Sequence, residues 1–176
     1  MSGTQLSATS SITLANIAGN GSAALDAEVA SYDAASALLF VAGPSGIDAI
    51  DPATGTILAS LSTTAYGNVN SVAAKNGVVA IAIESVPKTD PGKVIVLDVA
   101  REGDDVTLTL REFGGEDHLT VGAQPDQIGF SADGSQILTA NEGEPNSYGA
   151  ADSVDPLGSV SIIDVGTGTV STADFT

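Results

Sequence analysis

Ala49-Ile50-Asp51, Val96-Leu97-Asp98 and Ile162-Ile163-Asp164 each close an apolar run with the same apolar-apolar-Asp step. The segments around each step come in the same order, which makes the chain an internal repeat and sets its architecture before any chemistry is considered. In the first unit, Glu28–Asp33 reads as a strand, Ala34-Ala35-Ser36 as a turn, and Leu38–Val41 as an apolar strand suited to burial on both faces. Gly46–Asp51 is a third strand, and Pro52-Ala53-Thr54-Gly55 a tight turn into a fourth, Thr56–Leu61. The second unit runs Asn70–Ala74, a hairpin turn at Asn76-Gly77, then Val78–Glu84, Lys93–Asp98 and Val106–Phe113. The third runs Asp126–Ser131, Gln136–Ala140, a long insertion over Asn141–Leu157, then Gly158–Asp164 and Thr169–Phe175.

Each unit is a four-stranded antiparallel meander, and no segment carries a helical period. The expected fold is all-β and β-propeller-like, a partial propeller of about three blades. The interval from Glu28 to Asn70 falls in the roughly 40–45 residue range of a propeller blade, and the longer one from Asn70 to Asp126 is stretched by loops. Residues 1–11 read as a flexible N-terminus. Residues 12–176 read as one domain, with blades at about 28–62, 69–113 and 120–175. Ile12–Ile17 alternates as a strand, placed where a propeller often takes an extra outer strand to close its ring. Propellers have about four to eight blades, so three leave open edges and apolar faces. The chain is then part of a longer protein, or copies complete a ring, or the units stack as an open array.

Composition narrows the partners. Five Lys and Arg stand against 22 Asp and Glu, a formal net charge of -17. Such a surface repels nucleic acid and anionic membranes. With 43% hydrophobic residues the chain has enough apolar matter for a core, and cysteine is absent, which excludes disulfides, thiol chemistry and Cys-based zinc sites. No stretch reaches the length of a membrane span, so membrane insertion is not expected. Met1-Ser2-Gly3-Thr4-Gln5 lacks the basic and apolar regions of a signal peptide.

Two constellations carry chemistry. The insertion concentrates oxygen donors at Glu142, Glu144, Asn146, Asp152 and Asp155, with Gly143 and Pro145 to bend the backbone. Ca²⁺ takes six to eight such oxygens from flexible loops. The Asp-x-Asp-x-Asp-Gly spacing of an EF-hand is absent, and a solvated loop with turn-capping side chains is the competing reading. The second constellation follows from the repeat. Glu28, Asn70 and Asp126 share the first position of the innermost strand, and Glu84 and Glu142 each end the second strand of their units. In a propeller these positions line the central channel, where they either hold a cation or polar ligand or simply face water. His118, the single histidine, lies in a loop without a catalytic pattern, no Gly-x-Ser-x-Gly elbow occurs, and Asp51, Asp98 and Asp164 read as turn caps.

Three stretches carry a family resemblance: Pro125-Asp-Gln-Ile-Gly-Phe-Ser-Ala-Asp-Gly134, Leu138-Thr-Ala-Asn-Glu-Gly-Glu-Pro-Asn146 and Asp155-Pro-Leu-Gly-Ser-Val-Ser-Ile-Ile-Asp164. Together with Val69–Gly77 and Lys88–Lys93, they resemble the choice-of-anchor I family of bacterial secreted and cell-surface β-propellers, over roughly Glu28 to Thr176. The resemblance implies the N-terminal part of a domain of about seven blades, an extracellular or cell-surface location, and an association with alkaline-phosphatase- or phytase-like proteins. The function expected is a non-catalytic module for binding, adhesion or assembly, which Ca²⁺ at the acidic loop would stabilise, and whose partners are further blades or other copies. The alternatives are part of a Ca²⁺-dependent phosphoesterase, which carboxylates favour and the scarcity of Lys and Arg disfavours, and a subunit of an extracellular filament or lattice.

Overall fold

The computed structural model describes residue 27 and residues 29–175; Glu28 and the expected strand Ile12–Ile17 lie outside the described residues. Three antiparallel sheets follow one another along the chain, and none closes into a barrel. The first contains β1 (Val29–Asp33), β2 (Leu38–Gly43), β3 (Gly46–Asp51) and β4 (Thr56–Ser62) in that order. The second contains β5 (Asn68–Lys75), β6 (Val78–Glu84), β7 (Pro91–Glu102) and β8 (Asp105–Leu110), and the third β10 (Pro125–Phe130), β11 (Gln136–Asn141), β12 (Ser159–Asp164) and β13 (Val170–Asp174). The innermost strands are neighbours, β1 against β5 and β5 against β10, as blades of a propeller require.

The second sheet is buried on both faces, which explains the unbroken apolar run of β6. Val79, Ile81 and Ile83 point into a core shared with Phe40 and Ile47 of the first sheet. Ala80 and Ala82 point the other way, into a core shared with Ile128, Ile137 and Ile163 of the third. Each fully buried Ile or Leu contributes about 1.5–3 kcal/mol by leaving water.

Turn chemistry sets the hairpins. Asn76 and Gly77 both have positive φ, 55° and 77°, as a two-residue turn between twisted strands needs. Asp51 and Asp164 cap matching turns: Asp51 Oδ1 accepts the Ala53 N–H at 2.8 Å, and Asp164 Oδ1 accepts the Gly166 and Thr167 N–H groups at 3.0 and 2.8 Å. Asp98 departs from this expectation. β7 runs on to Glu102, so Asp98 lies within a strand rather than at its end, and its carboxylate pairs with the Arg111 guanidinium.

One strand was not expected from the sequence. β9 (Leu119–Ala123) pairs with the N-terminal half of β7, beside the stretch that β8 leaves free. Gln124 alone, with φ 52°, then carries the chain from the second sheet into β10 of the third.

Candidate functional site

The inner strands start in the same way. Asn70 is skipped in the pairing of β5 with β6, and Asp126 is skipped in the pairing of β10 with β11, so each is the extra residue of a β-bulge. Bulges re-aim side chains and recur beside functional sites. Asn70 reaches the next blade, its Nδ2 donating to the Pro125 carbonyl at 3.4 Å.

The bulge at Asp126 and the end of β11 bring charged groups together. Glu142 is exposed as a residue, yet its carboxyl loses water against the loop and lies near Asp126 and Glu144; these effects push its pKa up, with Lys88 partly offsetting them. Glu144 is held below its ordinary value, first by the hydrogen bond from Lys88 Nζ at 2.8 Å and then by Gln124. Gln124 Nε2 donates to Glu142 Oε2 at 3.2 Å and to Glu144 Oε2 at 3.4 Å. Lys88 is raised by Glu144, with Tyr148 and Glu84 also in its field. Five of the sequence-predicted residues therefore gather at one end of the inner strands: Glu84, Glu142 and Glu144 in the field of Lys88, Asp126 in that of Glu142, and Asn70 bonded to the neighbouring Pro125.

The other predicted loop residues stand apart. Asn146 organises the loop itself, its Oδ1 accepting the Val154 N–H at 3.0 Å. Asp152 and Asp155 are exposed. Among the described residues, no group of three or more His, Cys, Asp or Glu is arranged to hold a metal ion. The loop's foot is buried and hydrogen-bonded. Asn141, 2% exposed, accepts from Thr139 Oγ1 at 2.9 Å and donates to Ser159 Oγ at 3.1 Å and Ser161 Oγ at 2.9 Å. Gly143 turns the chain at φ 66°, where a Cβ would come within 2.7 Å of the Pro156 carbonyl oxygen.

The profile of the choice-of-anchor I domain matches residues 28–176. The chain belongs to the choice-of-anchor I family. The Asn141–Asn146 stretch that carried the resemblance is the one that builds this carboxylate cluster. No curated protein matches at a significant level. Among 12 solved chains that do match, the hydrazine synthase of Kuenenia stuttgartiensis superposes with a TM-score of 0.56 at 12% identity. That match covers 89% of this chain and 39% of the neighbour, and it is a likeness of fold alone.

In this choice-of-anchor I chain, three of the five cations, Lys88, Arg101 and Arg111, fasten one blade to the next, and Lys93 holds the connector between the first two. Lys88 joins the second blade to the third through Glu144. Lys93 Nζ donates to the Tyr66 carbonyl in the connector from the first blade at 3.1 Å and to Ser85 Oγ at 2.9 Å. Arg101 reaches back to Asp51 at 2.8 Å and to the Ala37 carbonyl at 2.9 Å. Arg111 reaches forward to the Val165 carbonyl at 3.0 Å. His118 Nδ1 lies 2.8 Å from Asp117 Oδ1 of the adjacent residue, and Asp117 Oδ2 accepts the Tyr66 hydroxyl at 2.8 Å. Sequence reasoning missed Lys88 and Gln124, which reach the acidic loop across 56 and 20 residues of chain. Neither contact carries a local signal in the sequence, because both are set by how the second and third sheets meet.

Proposed function

We propose that this chain is a non-catalytic binding and assembly module of the bacterial cell surface, and that it assembles by taking a further four-stranded blade on the open face of its third sheet. The observation that carries this reading is that face. Leu138 pairs with Ile162, and Ala140 with Val160, so these four apolar side chains share the side of the sheet turned away from Ile137 and Ile163 of the core. Leu138 is 37% exposed, and Val160 and Ile162 are partly so. The same alternation on the second sheet is covered on both sides. Family membership supports the surface location, and the 39% coverage of the structural neighbour supports a larger whole.

When the 176 residues are studied by themselves, the blade available to cover this face is that of another copy. Light scattering is expected to show concentration-dependent association that Leu138→Glu and Ile162→Glu abolish. A monomer at every concentration, with stability and solubility unaltered by both substitutions, would refute assembly through this face.

Calcium enters the proposal through Glu142, whose carboxyl is raised by lost hydration and by Asp126 and Glu144. A cation there relieves that repulsion and stabilises the fold by mass action. Thermal unfolding with millimolar Ca²⁺ is expected to shift upward and to lose the shift in Glu142→Ala/Glu144→Ala; no shift would remove calcium from the proposal and leave assembly standing.

A further inference from the structure

The two faces of the first sheet have different neighbours. Leu38, Phe40, Ala42, Ile47 and Ala49 turn toward the second sheet and share its core. The strand register sets Val41, Asp48 and Ile50 on the opposite face, together with Ala30, Tyr32 and Ser60. Among the described residues no blade precedes this one, and the main contacts of the first sheet outside itself go to β5 and β8. Even so, Val41 is 6%, Asp48 1% and Ile50 0% exposed.

The buried strip is narrow. Ala30 and Tyr32 on one flank and Ser60 on the other are exposed. A four-stranded sheet is about 14 Å wide and would cover the flanks as well, whereas one extended segment covers a strip. The open face of the third sheet has no such strip: Leu138 is exposed, and Val160 and Ile162 are partly so.

Asp48 shows the chemistry of the cover. It stands three residues before the repeated Asp, where β7 has Ile95 and β12 has Ser161. Its Oδ1 accepts the Ser60 hydroxyl, and its Oδ2 is buried without a partner among the described residues. Burial pushes its pKa up, and the Ser60 bond offsets part of that. A buried carboxylate oxygen without a donor is costly, so the cover carries a hydrogen-bond donor among apolar groups. The chain ahead of β1 holds such a segment. In Ile12-Thr13-Leu14-Ala15-Asn16-Ile17, strand alternation puts Ile12, Leu14 and Asn16 on one side. Leu14 and Asn16 have the same two-residue spacing as Asp48 and Ile50. The link from Ala18 to Glu28 reaches up to about 36 Å when extended, more than the width of the sheet.

We propose that Ile12–Ile17 lies along the middle of this face, with Ile12 and Leu14 against Val41 and Ile50 and the Asn16 amide donating to Asp48. The segment caps the stack at the first blade, independently of assembly through the third sheet and of calcium. Because the chain lacks cysteine, Thr13→Cys carries a nitroxide at one place, on the side turned away from the sheet. Methyl signals of Val41 and Ile50 are expected to broaden far more than those of Leu138 and Ile162. In a mixture of spin-labelled chain with isotope-labelled, cysteine-free chain this broadening should vanish, since the segment serves its own chain. Asn16→Leu strands the Asp48 carboxylate and should lower the melting temperature by several degrees; combining it with Asp48→Ile, the residue type β7 carries, should restore the loss. No localised broadening, broadening between chains, or additive losses in the double substitution would overturn the proposal.

Discussion

Asn141→Ala tests the buried foot of the acidic loop. The amide sits at the end of β11 and bonds three hydroxyls, those of Thr139, Ser159 and Ser161, all on residues at most 5% exposed. Truncation removes three hydrogen bonds that each contribute about 1 kcal/mol net, and it strands hydroxyls where water does not replace the lost partner. The expected loss is about 3 kcal/mol, or roughly 6–12 °C in melting temperature for a domain of this size. Urea unfolding should show it as a lower midpoint with an unchanged slope, which marks a loss of stability without a change of denatured state. Thr139→Val removes one of the three bonds, so a double-mutant cycle with Asn141→Ala should return a coupling of about 1 kcal/mol. A loss below about 0.5 kcal/mol would mean that the serines rebond locally and that the amide does not fix the loop.

Three further outcomes are expected. Gly143→Ala should cost about 1–3 kcal/mol in thermal unfolding, because φ is 66° and the added methyl meets the Pro156 carbonyl oxygen at 2.7 Å and the Gly158 nitrogen at 2.8 Å. Lys88→Met should let the Glu144 carboxyl rise and remove the cation that offsets the repulsion at Glu142, so the calcium-induced gain in melting temperature should exceed that of the parent; a gain unchanged or smaller would show that Lys88 does not compete for these carboxylates. Acid should unfold the turns. Asp133 is lowered to about 2 by hydrogen bonds from Ser131 and Ser135, and Asp164 is lowered by Thr167. Carboxyls lowered in the folded state contribute stability above the ordinary range near pH 4 and lose it as pH falls through their folded values. Melting temperature should therefore drop between about pH 4 and pH 2, and less steeply in Asp133→Asn; a flat profile would contradict the assignment.

The repeat was legible because burial on both faces leaves a plain mark: Val78 to Ile83 is apolar without interruption, and Asn76-Gly77 announces the turn before it. The equivalence of Asn70 and Asp126 was also readable, though not that both are bulges, since a bulge appears only when the partner strand's register is known. β9 escaped because Leu119–Ala123 is short and its partner is the early part of a β7 twice as long as an ordinary strand. The spread of the loop's carboxylates was illegible for a related reason. Composition places Glu142, Glu144, Asp152 and Asp155 in one insertion, but the fold gives the first two to Lys88 and Gln124 and leaves the last two in solvent. Contacts made across blades obey the stacking of sheets, and the sequence carries no local periodicity for them.

The passage through Gln124 has a consequence for how such a chain could be cut or copied. β9 completes the second sheet, yet it is delivered by the segment that leads, one residue later, into the third. Excision at the end of β8 would strip Leu119 and Val121 from the core between the second and third sheets, and excision after β9 would sever the connector that seats Glu142 and Glu144. The smallest heritable piece is therefore offset from the visible meander: it begins inside one sheet and ends inside the next. A gene rearrangement that respected the sequence repeat would disrupt the molecule, and one staggered by this overlap would preserve it.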